Sequence, residues 1–220
     1  MPDDVKEIKK LLLDLIKEVK KMLQEKSFFF LNEHDLSAYL YSQLLEIPEL
    51  KLPFKMERDG IEHSCYRVHV EYPRYSIENE KLRSVGKYDV AILRQENTLE
   101  DPFPKDEFTK KPVWVGFEVK LHWDAGLRKV NTSVKSEMNA FAKMVNCVTR
   151  IPADYGVVFH LNIDRKKESA FKVIEGNFKD FQNQEAVKDS QVFIVYMESY
   201  NEKTKGPNNL AVMPDGTKFL

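Results

Sequence analysis

Apolar residues recur three and four positions apart from Val5 to Met22: Val5, Ile8, Leu12, Leu15, Val19 and Met22, with lysines and acids between them. That period predicts an amphipathic helix over residues 5–23. The stripe is heptad-like but short for a free-standing coiled coil. Either it packs on its own domain, or it joins a second copy of the chain as a possible homodimer. A second helix is expected from Asn32, a favourable N-cap with Asp35 at the third helical position. Its stripe is Leu36, Leu40, Leu44 and Ile47, and it stops before Pro48.

Elsewhere the period changes to two or the run becomes continuously apolar, which predicts strands. They cover 65–71 (ended by Pro73), 87–93 (after Gly86), 113–121, 155–161 and 192–197. The 155–161 run is almost wholly apolar, as expected for a strand buried on both faces. Residues 130–148 and 164–180 read as further helices, 49–64, 74–85 and 95–111 as polar connections, and the chain from 200 onward as a polar tail. The order helix, helix, three strands, helix, strand, helix, strand predicts an α/β fold. It would be a mixed central sheet of about five strands flanked by helices, with an extra N-terminal helix. One domain is expected over 1–220, with 1–26 a helical extension, 32–198 the core and 200–220 a tail.

Charges interrupt two of these strands. In Val113-Trp114-Val115-Gly116-Phe117-Glu118-Val119-Lys120-Leu121, alternation puts Glu118 and Lys120 on one face with Trp114 and Gly116. A buried charge is costly unless it is paired or bound to a metal. This pair is therefore either a structural ion pair or part of a site. In Lys87-Tyr88-Asp89-Val90-Ala91-Ile92-Leu93, alternation groups Asp89 with Ala91 and Leu93, and Tyr88 with Val90 and Ile92. If the two strands are neighbours, Asp89 and Glu118 can converge on one cation. Two hard oxygen ligands, completed by waters and a substrate phosphate, are what magnesium takes. On the second predicted helix, Glu33 falls on the face of Leu40 and Leu44 and so points toward the sheet. An acid in a first turn also favours the helix dipole without any catalytic role.

Asp89 followed on the next strand by Glu118-Val119-Lys120 resembles the signature of the PD-(D/E)xK nuclease superfamily, whose fold is restriction-endonuclease-like. The three-residue half is present in full; the first half departs from the pattern, with Tyr88 where a proline is expected. The likeness spans residues 32–198 by order of elements. It implies a hydrolase cutting phosphodiester bonds, in DNA, with Mg2+ or Mn2+ as cofactor. By the same resemblance Asp89 and Glu118 would hold the metal and the Val119 carbonyl would be a third ligand. Lys120 would act on the water and the transition state, and Glu33 would match the acid on the first core helix. His122 shares the Lys120 face if the strand persists, as a substrate contact or an ordinary strand-end histidine. Arg128, Lys129, Lys135, Lys143 and Arg150 face a single acid, Glu137, around the 130–148 helix. Lys129 and Lys135 are thus candidate phosphate contacts, or part of a solvated helix face. That helix lacks the glutamine-and-tyrosine motif of RecB-like nucleases.

Charge narrows this reading. Lys plus Arg is 34 and Asp plus Glu 35, a net charge of -1, so any nucleic-acid surface must be local. Near-neutrality also keeps open a non-catalytic nucleic-acid- or protein-binding module on the same fold. Cys65 and Cys147 stand in unrelated segments, with no CxxC pair to suggest zinc or a disulfide framework. The apolar runs are too short for a bilayer and there is no signal-peptide pattern, so a cytoplasmic protein with no membrane partner is expected.

Overall fold

The computed structural model describes residues 3–25, 30–58, 61–78, 81–94, 113–122, 139, 153–163, 191–198, 209–214 and 216–220. The predicted first helix is α1 (Asp3–Glu25). Its whole stripe, Val5, Ile8, Leu12, Leu15, Val19 and Met22, is buried in the chain's own core. The stripe offered for self-association is therefore covered within the domain. This helix is part of the core, not an appendage to it. α2 (Glu33–Leu45) begins at a capping box: the Asp35 N–H donates to the Asn32 side chain, and the Asp35 carboxylate accepts from the Asn32 N–H. Leu36, Leu40 and Leu44 are fully buried, each contributing about 1.5–3 kcal/mol by its removal from water.

Pro48 ends α2 and opens a short helix, α3 (Pro48–Lys51). Residues 49–64, expected as a polar loop, then form a separate hairpin of β1 (Phe54–Arg58) and β2 (Ile61–Cys65). The main sheet has six strands in the order β3-β4-β5-β6-β7-β8. They are β3 (Val68–Glu78), β4 (Lys81–Leu93), β5 (Val113–His122), β6 (Ala153–Asn162), β7 (Val192–Glu198) and β8 (Asn209–Val212). β3, β4 and β5 are antiparallel neighbours, β5, β6 and β7 run parallel, and β8 returns antiparallel to β7. The architecture is thus mixed α/β, as expected.

Three further expectations are corrected. β3 does not stop at Pro73 but continues through it in register with Lys87; among the described residues β3 is an edge strand, where proline is tolerated. Residues 74–78 and 81–85 are not a connection: they extend β3 and β4 as paired strands, with a register shift between Arg74 and Tyr75. The 200–220 tail supplies β8, a sixth strand, whose Ala211 is buried against the core; its short length hid it.

Val115, Phe117, Val119 and Leu121 of β5 join Val157, Phe159 and Leu161 of β6 in one core with α1 and α2. The alternate positions form the second face, where Glu118, Val158, His160, Ile194 and Tyr196 are also buried. The helices expected at 130–148 and 164–180 lie outside the described residues.

Candidate functional site

β4 and β5 pair as neighbours, with Val90↔Phe117, Ala91↔Gly116 and Ile92↔Val115 in register. One further step would set Asp89 opposite Glu118. The paired register ends before that step, and the Asp89 side chain takes over: its Oδ2 accepts from the Val119 N–H at 2.6 Å. A carboxylate thus satisfies a strand N–H that would otherwise bond a neighbouring carbonyl.

The other side of β4 shows why Asp89 can do this. The β3–β4 pairs step from Val70↔Val90 to Tyr72↔Tyr88 and pass over Glu71 and Asp89. Glu71 holds φ +52°, a conformation costly for a side-chain-bearing residue and kept only where its surroundings impose it. Its carboxylate pairs with Lys87 at 3.1 Å and lies 3.9 Å from His34 in the first turn of α2. Tyr88 departs from the expected alternation. Its ring lies against Gly116, close enough that a Cβ there would stand 2.3 Å from Cε1, and the Arg74 guanidinium sits over the ring at 5.7 Å. The bulge between Arg74 and Tyr75, and Gly86 at φ +131°, supply the local backbone freedom for this departure.

Glu118 is buried at 3 % exposure, as strand parity required of an acid within a core strand. Lys120 Nζ lies 3.1 Å from Glu118 Oε1 and 3.5 Å from Glu33 Oε2, so the first turn of α2 does reach the β5 pair. Burial works to lower the Lys120 pKa. The charges of Glu118 and Glu33, the hydrogen bond to Glu118 and the charge of Asp89 outweigh it and hold the ammonium above its ordinary value. At neutral pH Lys120 is a fixed cation with its Nζ between two carboxylates.

Asp89, Glu118, Lys120 and Glu33 are therefore drawn into one neighbourhood by two adjacent strands and one helix start. Of the other expected residues, His122 closes the β5 backbone in register with Asn162, while Lys129 and Lys135 lie outside the described residues. Among the described residues, no three His, Cys, Asp or Glu side chains gather as a ready-made metal cage. What is present is two carboxylates, each engaged within the site: Asp89 with the Val119 N–H and Glu118 with Lys120.

A second polar group lies beyond Lys120, on the buried strands β6 and β7. His160 is in register with Lys120, and Tyr196 with His160. The His160 and Tyr196 rings meet edge-on at 5.0 Å; the Tyr196 hydroxyl donates to Glu198 Oε1 at 2.8 Å and accepts from Asn162 Nδ2 at 3.3 Å. Burial, then the Glu198 charge, push the Tyr196 phenol far above its ordinary pKa. The signal was present in the sequence: His160, Asn162, Tyr196 and Glu198 alternate on β6 and β7 with the parity of Glu118 and Lys120 on β5. At the other end of these strands the Arg94 guanidinium makes a two-pronged ion pair with Asp154, tying the end of β4 to the start of β6.

Among the described residues, no helix is long and apolar enough to cross a membrane. No protein-family model, curated protein or solved structure matches the chain.

Proposed function

We propose that the chain is a metal-dependent nuclease of the restriction-endonuclease-like fold that hydrolyses phosphodiester bonds in DNA. The observation that carries this reading is the meeting of Asp89, Glu118, Lys120 and Glu33 where β4 and β5 leave their ladder beside the start of α2. Asp89 and Glu118, with the Val119 carbonyl, would hold Mg2+ or Mn2+. The bound cation would make a water nucleophilic at neutral pH and offset charge on the phosphate. Lys120, kept protonated by its carboxylate neighbours, would direct its remaining N–H at the attacking water and its charge at the phosphate oxygen that gains charge. Glu33 and Glu118 hold the lysine's ammonium between them by their ion pairs. Asp89, anchored on the Val119 N–H, is aimed before substrate arrives.

A second reading has its own observation. The Glu33–Lys120–Glu118 group is already a closed set of ion pairs, which a binding module would keep as a structural element. The two readings part on one experiment: cleavage of duplex, single-stranded and branched DNA, and of RNA, with Mg2+ or Mn2+. On the nuclease reading Asp89→Ala and Glu118→Ala each abolish cleavage, and Lys120→Ala abolishes it while sparing metal binding. A wild-type chain that cuts none of these substrates, and binds DNA equally well with all three residues replaced, would leave the binding module.

A further inference from the structure

The polar row on β6 and β7 is not used by the reaction just described, yet it begins at the reactive lysine. Registered neighbours in a sheet share a face, so Lys120, His160 and Tyr196 stand side by side across three parallel strands. The next row on the same face holds Asn162 and Glu198. His160 and Tyr196 are both 0 % exposed, Glu198 5 % and Asn162 6 %, so four polar side chains occupy core positions where apolar ones would be cheaper. They are also braced in sequence: the Tyr196 hydroxyl lies between Asn162 and Glu198, and its ring meets His160 edge-on.

A lysine carries about 2 kcal/mol of rotamer entropy on its four-carbon stem. Two ion pairs hold its tip, but neither borders the stem on the β6 side; the residue there is His160. We infer that His160, braced by Tyr196 with Asn162 and Glu198, is a positioning residue that walls the Lys120 stem and fixes where its ammonium stands. This rests on the nuclease reading for its purpose, although the wall itself does not. The role assigned to His160, Tyr196, Asn162 and Glu198 requires no contact with substrate or metal. Its effect on the reaction passes wholly through Lys120, whose displacement by about 1 Å would cost on the order of 100-fold in rate.

The test measures two things on the full-length chain. The first is cleavage of duplex DNA with Mn2+, separated into kcat and KM, together with Mn2+ affinity. The second is the order of the Lys120 side-chain methylenes by NMR on lysine-labelled protein, the Lys120 signal being assigned by its loss in Lys120→Met. For His160→Ala we expect kcat to fall on the order of 100-fold. KM and Mn2+ affinity should stay unchanged, and Lys120 should become as mobile as a surface lysine. His160→Phe, which restores a ring of similar size, should recover most of the order and the rate; a purely thermodynamic defect would not split kcat from KM in this way. Should His160→Ala fail to fold, Tyr196→Phe keeps the ring, removes the brace and should loosen Lys120 to a smaller extent. Lys120 methylenes that keep their order in both variants would overturn the inference, whatever happens to activity. A wild-type chain that cleaves nothing while Lys120 still loosens in His160→Ala would remove the nuclease reading and leave the positioning role standing.

Discussion

Replacing Gly116 by alanine tests how the site is packed. An alanine in a strand normally gains about 0.5–1 kcal/mol over glycine, because the unfolded chain has less freedom to lose. Gly116 does not hold a positive φ, so the backbone accepts any residue. The obstacle is steric. The new Cβ would stand 2.3 Å from Tyr88 Cε1, 2.4 Å from Cδ1 and 3.1 Å from Cζ. Carbon atoms rest at about 3.5–4.0 Å, so the ring must retreat by more than about 1 Å. It has little room: Tyr88 is 1 % exposed, and Arg74, itself 7 % exposed, sits over it. Overpacking of this kind costs about 1–3 kcal/mol, which exceeds the glycine gain. Gly116→Ala should therefore lower Tm, by about 2–4 °C for each kcal/mol lost in a chain of this size. Tyr88 precedes Asp89, so the retreat should also disturb the Asp89–Val119 bond and reduce cleavage. Thermal unfolding monitored by circular dichroism gives the first number. The same substitution made in a Tyr88→Ala background should be neutral or stabilising, the difference between backgrounds measuring the contact itself. A Gly116→Ala chain as stable as wild type, or more so, would show that the Tyr88 ring does not lie where this reasoning puts it.

Lys120→Met removes the charge opposite Glu118, which is 3 % exposed; leaving a buried carboxylate uncompensated costs about 3–5 kcal/mol. Adding Glu118→Gln should recover much of that loss without recovering cleavage, as urea unfolding and the nuclease assay together would show. The Tyr196 phenol, raised by burial, stabilises the fold fully below the unfolded value of about 10, and that contribution is lost as pH rises beyond it. Tyr196→Phe should accordingly be less stable at neutral pH, for want of its two hydrogen bonds, yet lose less on alkaline titration than wild type. An equal alkaline loss in both would place the sensitive group elsewhere.

Periodicity alone was enough for α1, α2 and five of the six strands of the main sheet, because each buries one face or both and the apolar spacing records which. It also located Glu118 and Lys120 on a shared face, since alternation on a strand is a local property that needs no knowledge of the fold. The helical position of Glu33 was legible for the same reason, and the ion pair with Lys120 follows from it. Other features were settled by the tertiary structure. Pro73 reads as a stop until β3 is known to be an edge strand that keeps its register with β4 through Pro73↔Lys87. The four residues of β8 carry too little pattern to stand out, and only the open edge of β7 makes them a strand. Asp89 reads as one more alternating side chain; its bond to the Val119 N–H falls where Glu71, on a different strand, turns to positive φ and the ladder passes over both residues. Likewise, alternation gives His160 the parity of Asn162 but not its neighbour on the next strand. Its place beside Lys120 comes from the register of two parallel strands brought together across more than thirty residues of chain, a relation that sequence spacing does not encode.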